Sequence, residues 1–131
     1  MSPLIETSRR TATAVYDFAV DGGAVGDIAL RGQKIPSGAI ITDVLIDVET
    51  VLTSGGAATV ALKSEGAADL NAADAISGAP WSTAGAKRGD LDADTAPVKT
   101  TAERTITATV GAFALTAGKF SVIVSYILKA G

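Results

Sequence analysis

In the segment Ile40-Ile41-Thr42-Asp43-Val44-Leu45-Ile46-Asp47-Val48-Glu49-Thr50-Val51-Leu52, the even positions are nearly all apolar, while Asp43, Asp47 and Glu49 stand at odd ones. Successive side chains of a β-strand point to opposite faces, so this alternation puts Ile40, Val44, Ile46, Val48 and Leu52 on one face and the acids on the other. Such a strand belongs to an antiparallel sheet that is packed on one side and wetted on the other.

Similar segments recur along the chain. Ala12, Ala14, Tyr16, Phe18 and Val20 share one parity and predict a first strand over residues 11–20, closed by the turn chemistry of Asp21-Gly22-Gly23. A short strand is expected over 25–30, and residues 40–63 read as a hairpin turning at Ser54-Gly55-Gly56. Residues 104–110 and 120–128 are rich in β-branched residues, with a connection over 111–118 that carries two apolar plugs, Phe113 and Leu115. These segments amount to about six strands. They predict an all-β fold, an antiparallel β-sandwich or barrel of jelly-roll or Greek-key type.

Two regions fall outside this pattern. Residues 1–10 are mostly polar, with Leu4 and Ile5 as apolar anchors and Arg9-Arg10 at their end, and they read as an N-terminal arm. Between residues 64 and 101 the alternation dissolves into Ala, Gly, Asp and Ser, with a short helical turn expected over 72–76. A loop of that length must pack over the sheet or be donated to a partner. Its Trp81 has too much apolar surface to leave in water and is expected to anchor a core or a subunit interface. The domain organisation is therefore an arm over 1–10 and one β domain over 11–131, with 64–101 inserted as a long loop.

A chain of 131 residues suffices for one domain that buries roughly two-thirds of its unfolded surface. Only 5% of residues are aromatic, so the core must be built from Val, Ile and Leu. The net charge of −3 provides no broad positive field for nucleic acid or an anionic membrane, and neither is expected as a partner. No apolar run approaches the ~20 residues of a membrane helix. The first residues lack a basic region followed by a hydrophobic stretch, so a soluble protein made in the cytoplasm is expected.

The chain has neither histidine nor cysteine. A Ser-His-Asp arrangement, thiolate catalysis, disulfides and Cys-based zinc sites are thereby excluded within it. A Ser-Lys dyad has no local motif to support it. Asp90, Asp92 and Asp94 are spaced like the opening of an EF-hand loop, but Thr95 stands where glycine is required and Thr101 where a bidentate glutamate belongs. A solvated acidic loop is the expectation, with Asp69 and Asp74 capping the nearby helical turn. Gly22-Gly23-Ala24-Val25-Gly26 lacks the Lys-Ser/Thr pair of a phosphate loop and reads as a hairpin turn. No enzyme activity, metal or cofactor is expected.

Tyr16-Asp17-Phe18-Ala19-Val20-Asp21-Gly22-Gly23, Ile35-Pro36-Ser37-Gly38-Ala39-Ile40-Ile41-Thr42-Asp43-Val44, Ser54-Gly55-Gly56-Ala57-Ala58-Thr59-Val60-Ala61-Leu62 and Leu115-Thr116-Ala117-Gly118-Lys119-Phe120 resemble segments of small virion proteins of tailed bacteriophages. The resemblance extends over most of residues 16–128 and is to capsid decoration, or cement, proteins. It implies a structural protein on the outer surface of the virion shell, forming homo-oligomers, often trimers, that bridge neighbouring major capsid proteins. Leu4, Ile5, Arg9 and Arg10 would then contact the shell, and Trp81 would anchor a subunit interface. The competing reading is a tail or fibre component, or a carbohydrate-binding β module for host adsorption that uses the acids of the sheet or the long loop.

Overall fold

The computed structural model describes residues 7–89, 91 and 97–129. Among them nine strands and one helical turn follow in the order β1 (Thr7–Asp17), α1 (Phe18–Asp21), β2 (Gly26–Ala29), β3 (Arg31–Gly32), β4 (Ile40–Ser54), β5 (Thr59–Lys63), β6 (Asn71–Ala75), β7 (Gly85–Arg88), β8 (Thr107–Gly111) and β9 (Leu115–Lys129). They form two antiparallel sheets, a five-stranded one in the order β3-β1-β9-β4-β7 and a four-stranded one in the order β2-β8-β5-β6. The fold is an all-β sandwich.

β9 organises the larger sheet, pairing with β1 from Thr7↔Lys129 to Asp17↔Lys119 and with β4 on its other side. Residues directly opposite each other share a face. The pairs Val44↔Val124, Ile46↔Val122 and Val48↔Phe120, with Ala12, Ala14 and Tyr16 of β1, therefore form one buried row after another. Val60, Leu62, Ala108 and Val110 of the smaller sheet complete the same core. The expected inward face of β4 holds from Val44 to Leu52 but not at Ile40. The register against β9 shifts between Ile41 and Asp43, and that bulge turns Ile41, 2% exposed, inward in place of Ile40.

Residues 40–63 do not form a hairpin. The turn after Ser54 carries the chain from one sheet to the other, where β5 pairs with β6 and β8. The first strand ends at Asp17, earlier than its parity suggested, because the Asp17 carboxylate accepts from the Ala19 amide and starts a helical turn. Val20 is accordingly exposed and not a core residue. Gly22 to Gly26 then crosses between the sheets, and is not a hairpin turn. β9 begins already at Leu115, which is buried as expected of a plug, whereas Phe113 is half exposed. Gly118 lies within that strand at φ 139°, and a Cβ there would stand 2.1 Å from Leu52 Cδ2.

The described residues of the 64–101 excursion contain two strands. Most of the segment expected to be helical, 72–76, lies in β6 (Asn71–Ala75), because pairing of Thr59↔Ala75 and Val60↔Asp74 outweighs the helical preference of its alanines. β7 edges the larger sheet against Leu45 to Val48. Asp69 caps no helix. Its carboxylate accepts from the amides of Ser64, Glu65 and Gly66 at 2.7, 2.9 and 2.8 Å and closes the turn after β5.

Between β6 and β7 the chain passes from the smaller sheet to the larger, bringing Trp81 into the core at 0% exposure. Its indole nitrogen donates to the Val60 carbonyl at 3.3 Å, and its ring meets Phe120 at 4.8 Å between centroids. Phe120 in turn stacks on Tyr16 at 5.2 Å. Trp81 thus links a strand of each sheet. Its enclosure selects the core role expected of it and leaves no surface for a subunit partner.

Trp81→Ala should cost about 3–5 kcal/mol through the cavity it leaves. Trp81→Phe should cost nearer 1–3 kcal/mol, since packing is partly kept while the Val60 carbonyl loses its indole donor. Urea denaturation followed by circular dichroism checks both; equal losses in the two variants would contradict the packing contribution of the ring, and no loss in Trp81→Phe would contradict the hydrogen bond.

Candidate docking surfaces

The residues singled out from sequence lie at different places on the sandwich. Arg9 and Arg10 are exposed and already part of β1, opposite Ile127 and Tyr126 of β9, so the strand takes in the last four positions of the expected arm. None of the six ion pairs among the described residues involves either arginine. Leu4, Ile5, Asp90, Asp92 and Asp94 lie outside the described residues.

The end of the sandwich that holds Arg9 and Arg10 is closed by two loops tied together. Ile35 and Arg104 exchange backbone hydrogen bonds at 2.8 Å, and Thr100, 2% exposed, accepts from the Ala39 amide and donates to the Pro36 carbonyl. Glu65 adds a third loop. Its carboxylate accepts from Arg104 Nε at 2.7 Å and from the hydroxyl and amide of Thr101 at 2.7 and 3.1 Å. These bonds, the guanidinium's foremost, pull the Glu65 pKa down to about 2.

The outward acids of the larger sheet are engaged in part. Asp43 accepts from Arg88 Nη1 at 2.9 Å, and Glu49 lies 3.5 Å from Lys119 Nζ. On the smaller sheet Asp27 holds both Lys63 and the Thr109 hydroxyl. Among the described residues no three of His, Cys, Asp or Glu converge as metal ligands, and no ligand-sized cavity opens.

The opposite end is apolar and braced. Val20, Val25 and Phe113 are the exposed large hydrophobic residues among those described, and all three lie within three residues of the hydrogen bond from the Leu115 amide to the Gly23 carbonyl, 2.7 Å long. α1 buries none of its residues, yet it is held firmly. Asp21, its last residue, accepts from Arg31 Nε at 2.8 Å and Nη2 at 3.2 Å and from the Asp17 amide at 2.8 Å. The guanidinium holds the Asp21 carboxyl below its usual pKa. The buried Tyr16 hydroxyl donates to the Gly22 carbonyl at 2.6 Å. Burial first, and then the charges of Asp21 and Asp17, push the Tyr16 pKa up to about 12.

Phe113 follows Ala112, a non-glycine residue at φ 69°, and its ring lies so close over Gly56 that a Cβ there would stand 2.7 Å away. Parity alone hid this end, because it assigned Val20 to the core. The available signal was the Asp17 to Asp21 spacing, an N-cap followed by a second acid one turn later.

No protein-family model and no curated protein matches the sequence. Solved structures do share the fold. A chain in the acid-stable capsid of Helicobacter pylori bacteriophage KHP30 superposes with a TM-score of 0.62 at 15% identity, covering 95% of this chain and 94% of that one. A chain of the cyanophage Pam1 capsid asymmetric unit gives 0.64 at 17% identity, over 98% and 91%. A chain of the Ralstonia phage GP4 capsid gives 0.62 at 17%, over 100% and 92%.

Two pH dependences are expected. The folded pKa of Glu65 is lowered, so its contribution to stability is present above about pH 4.5 and is lost as pH falls towards 2. The melting-temperature gap between the wild type and Glu65→Gln should therefore close over that interval. The Tyr16 pKa is raised, so its contribution is complete below pH 10 and declines as pH rises towards 12. Tyr16→Phe should lose about 1 kcal/mol at neutral pH, and this deficit should shrink above pH 10 in parallel denaturant titrations.

Proposed function

We propose that this chain is a structural component of a bacteriophage virion that binds the outside of the capsid and stabilises the shell by bridging major capsid subunits. The observation that carries this reading is the end-to-end likeness of the chain to chains from three phage capsids, which covers nearly the whole of each partner. The physical design suits the task. A sandwich with a continuous core, tied loops at both ends and a buried Trp81 between its sheets resists deformation, as a shell under internal pressure requires.

Shell binding of this kind needs no catalytic centre. Weak contacts repeated at every lattice point hold collectively, because each attached subunit raises the effective concentration of the others. We assign Arg9 and Arg10, which stand outside the ion pairs of the described residues, to the capsid contact, and the oligomer to a homotrimer. Assembly on the shell would follow synthesis in the host cytoplasm.

Quantitative mass spectrometry of purified particles should find this chain at a lattice-sized fraction of the major capsid protein, near one to one. A handful of copies per particle would instead identify a tail or fibre component, and absence from particles would overturn a virion role.

A further inference from the structure

β1 is paired with β9 along its whole length, from Thr7↔Lys129 to Asp17↔Lys119, but its other edge is covered at one end only. There β3 pairs at Ala14↔Gly32 and Val15↔Arg31, and Gln33 takes both backbone groups of Thr13. The Gln33 side-chain oxygen accepts from the Thr13 amide at 3.0 Å, and the Gln33 amide donates to the Thr13 carbonyl at 2.9 Å. In a strand the amide and carbonyl of one residue point to the same edge, and those of the next residue to the other. The bonds of Thr13 to Gln33 therefore fix the direction for the residues before it, and Thr11, Arg9 and Thr7 aim both groups away from β9. Among the described residues nothing pairs with them from that side, and Arg9, Arg10 and Thr11 are exposed. An open edge of this kind is a template for one more strand.

Charge selects the strand it takes. Arg9 has the parity of Thr11 and Thr13 on the outside of the larger sheet, and Arg10 has that of the buried Ala12 and Ala14, so one guanidinium flanks each side of the edge. Neither belongs to an ion pair among the described residues. A second copy of β1 laid antiparallel, in the register that uses Thr7, Arg9 and Thr11, would set Arg9 opposite Arg9, and like charges directly opposite are unfavourable.

We propose that the open edge of β1 receives an extended acidic segment of another protein as an added strand, with carboxylates on successive residues meeting Arg9 on one face and Arg10 on the other. The outward amides and carbonyls of Thr7, Arg9 and Thr11 hold the segment, and the charge-assisted bonds to the two arginines set its register. Only the identity of the partner, a capsid subunit, rests on the function proposed above.

The test uses the full chain, a short capped peptide of threonine and valine with two central glutamates, and the same peptide with two central lysines. Amide hydrogen exchange in the free protein should be fast at Arg9 and Thr11 and slow at Arg10 and Ala12, whose amides face β9. The acidic peptide should slow Arg9 and Thr11 by about tenfold or more, and the lysine peptide should leave them unchanged. Arg9→Glu/Arg10→Glu should reverse this preference. Thr11→Pro removes an outward amide without touching the ladder to β9, so it should keep the fold and lose the response to the acidic peptide. Exchange at Arg9 and Thr11 that ignores the acidic peptide, or slows equally with both peptides, would overturn the proposal. So would protection of those amides that rises with the concentration of the protein alone, which would make a second copy the occupant. Neither peptide contains capsid sequence, so the outcome is independent of whether the chain is found on particles.

Discussion

The structure depends on the double pairing of β9. It pairs with β1 over Lys119–Lys129 on one side and with β4 over Leu115–Ile127 on the other, so one register fixes three strands at once. A slip of β9 by one residue would turn Phe120, Val122 and Val124 towards water while their partners on both neighbours still faced the core. The bulge near Ile41 adjusts this register locally and allows the first turn of β4 to keep a buried isoleucine while the chain approaches from Ala39.

Against that sheet the smaller one is held by side chains and crossovers. Trp81 has the leading part, because one residue touches Phe120 of the larger sheet and hydrogen-bonds to β5 of the smaller. Aromatic pairs such as Trp81–Phe120 and Phe120–Tyr16 contribute roughly 0.5–1.5 kcal/mol each beyond the apolar area they bury. The edge strands β2, β3, β6 and β7 are short and carry Asp27, Arg31, Asp74, Lys87 and Arg88, features that discourage sheet-to-sheet association along those edges.

The two ends differ in character, and the difference follows from what each must satisfy. Around Glu65 and Arg104 three loops meet, and their polar groups are tied by charge-assisted bonds. Around Gly23 and Leu115 the Asp21–Arg31 pair is joined by the Tyr16 hydroxyl bond and backbone bonds, and Val20, Val25 and Phe113 stand exposed beside them.

Local pattern in the sequence determined the all-β class, the long strands around residues 44–52 and 120–128, their inward residues and the burial of Trp81, because period-two alternation records directly which side chains meet the core. Only the tertiary structure decided that β4 and β5 belong to different sheets, since a glycine turn looks alike whether it returns along a sheet or crosses to another. The strand at Asn71–Ala75 was likewise illegible, because its alanines favour helix and its extended form exists only by pairing with β5. The apolar end was hidden for the same reason: Phe113 is far in sequence from Val20 and Val25, and the crossovers that bring their loops to one end depend on contacts between strands distant along the chain.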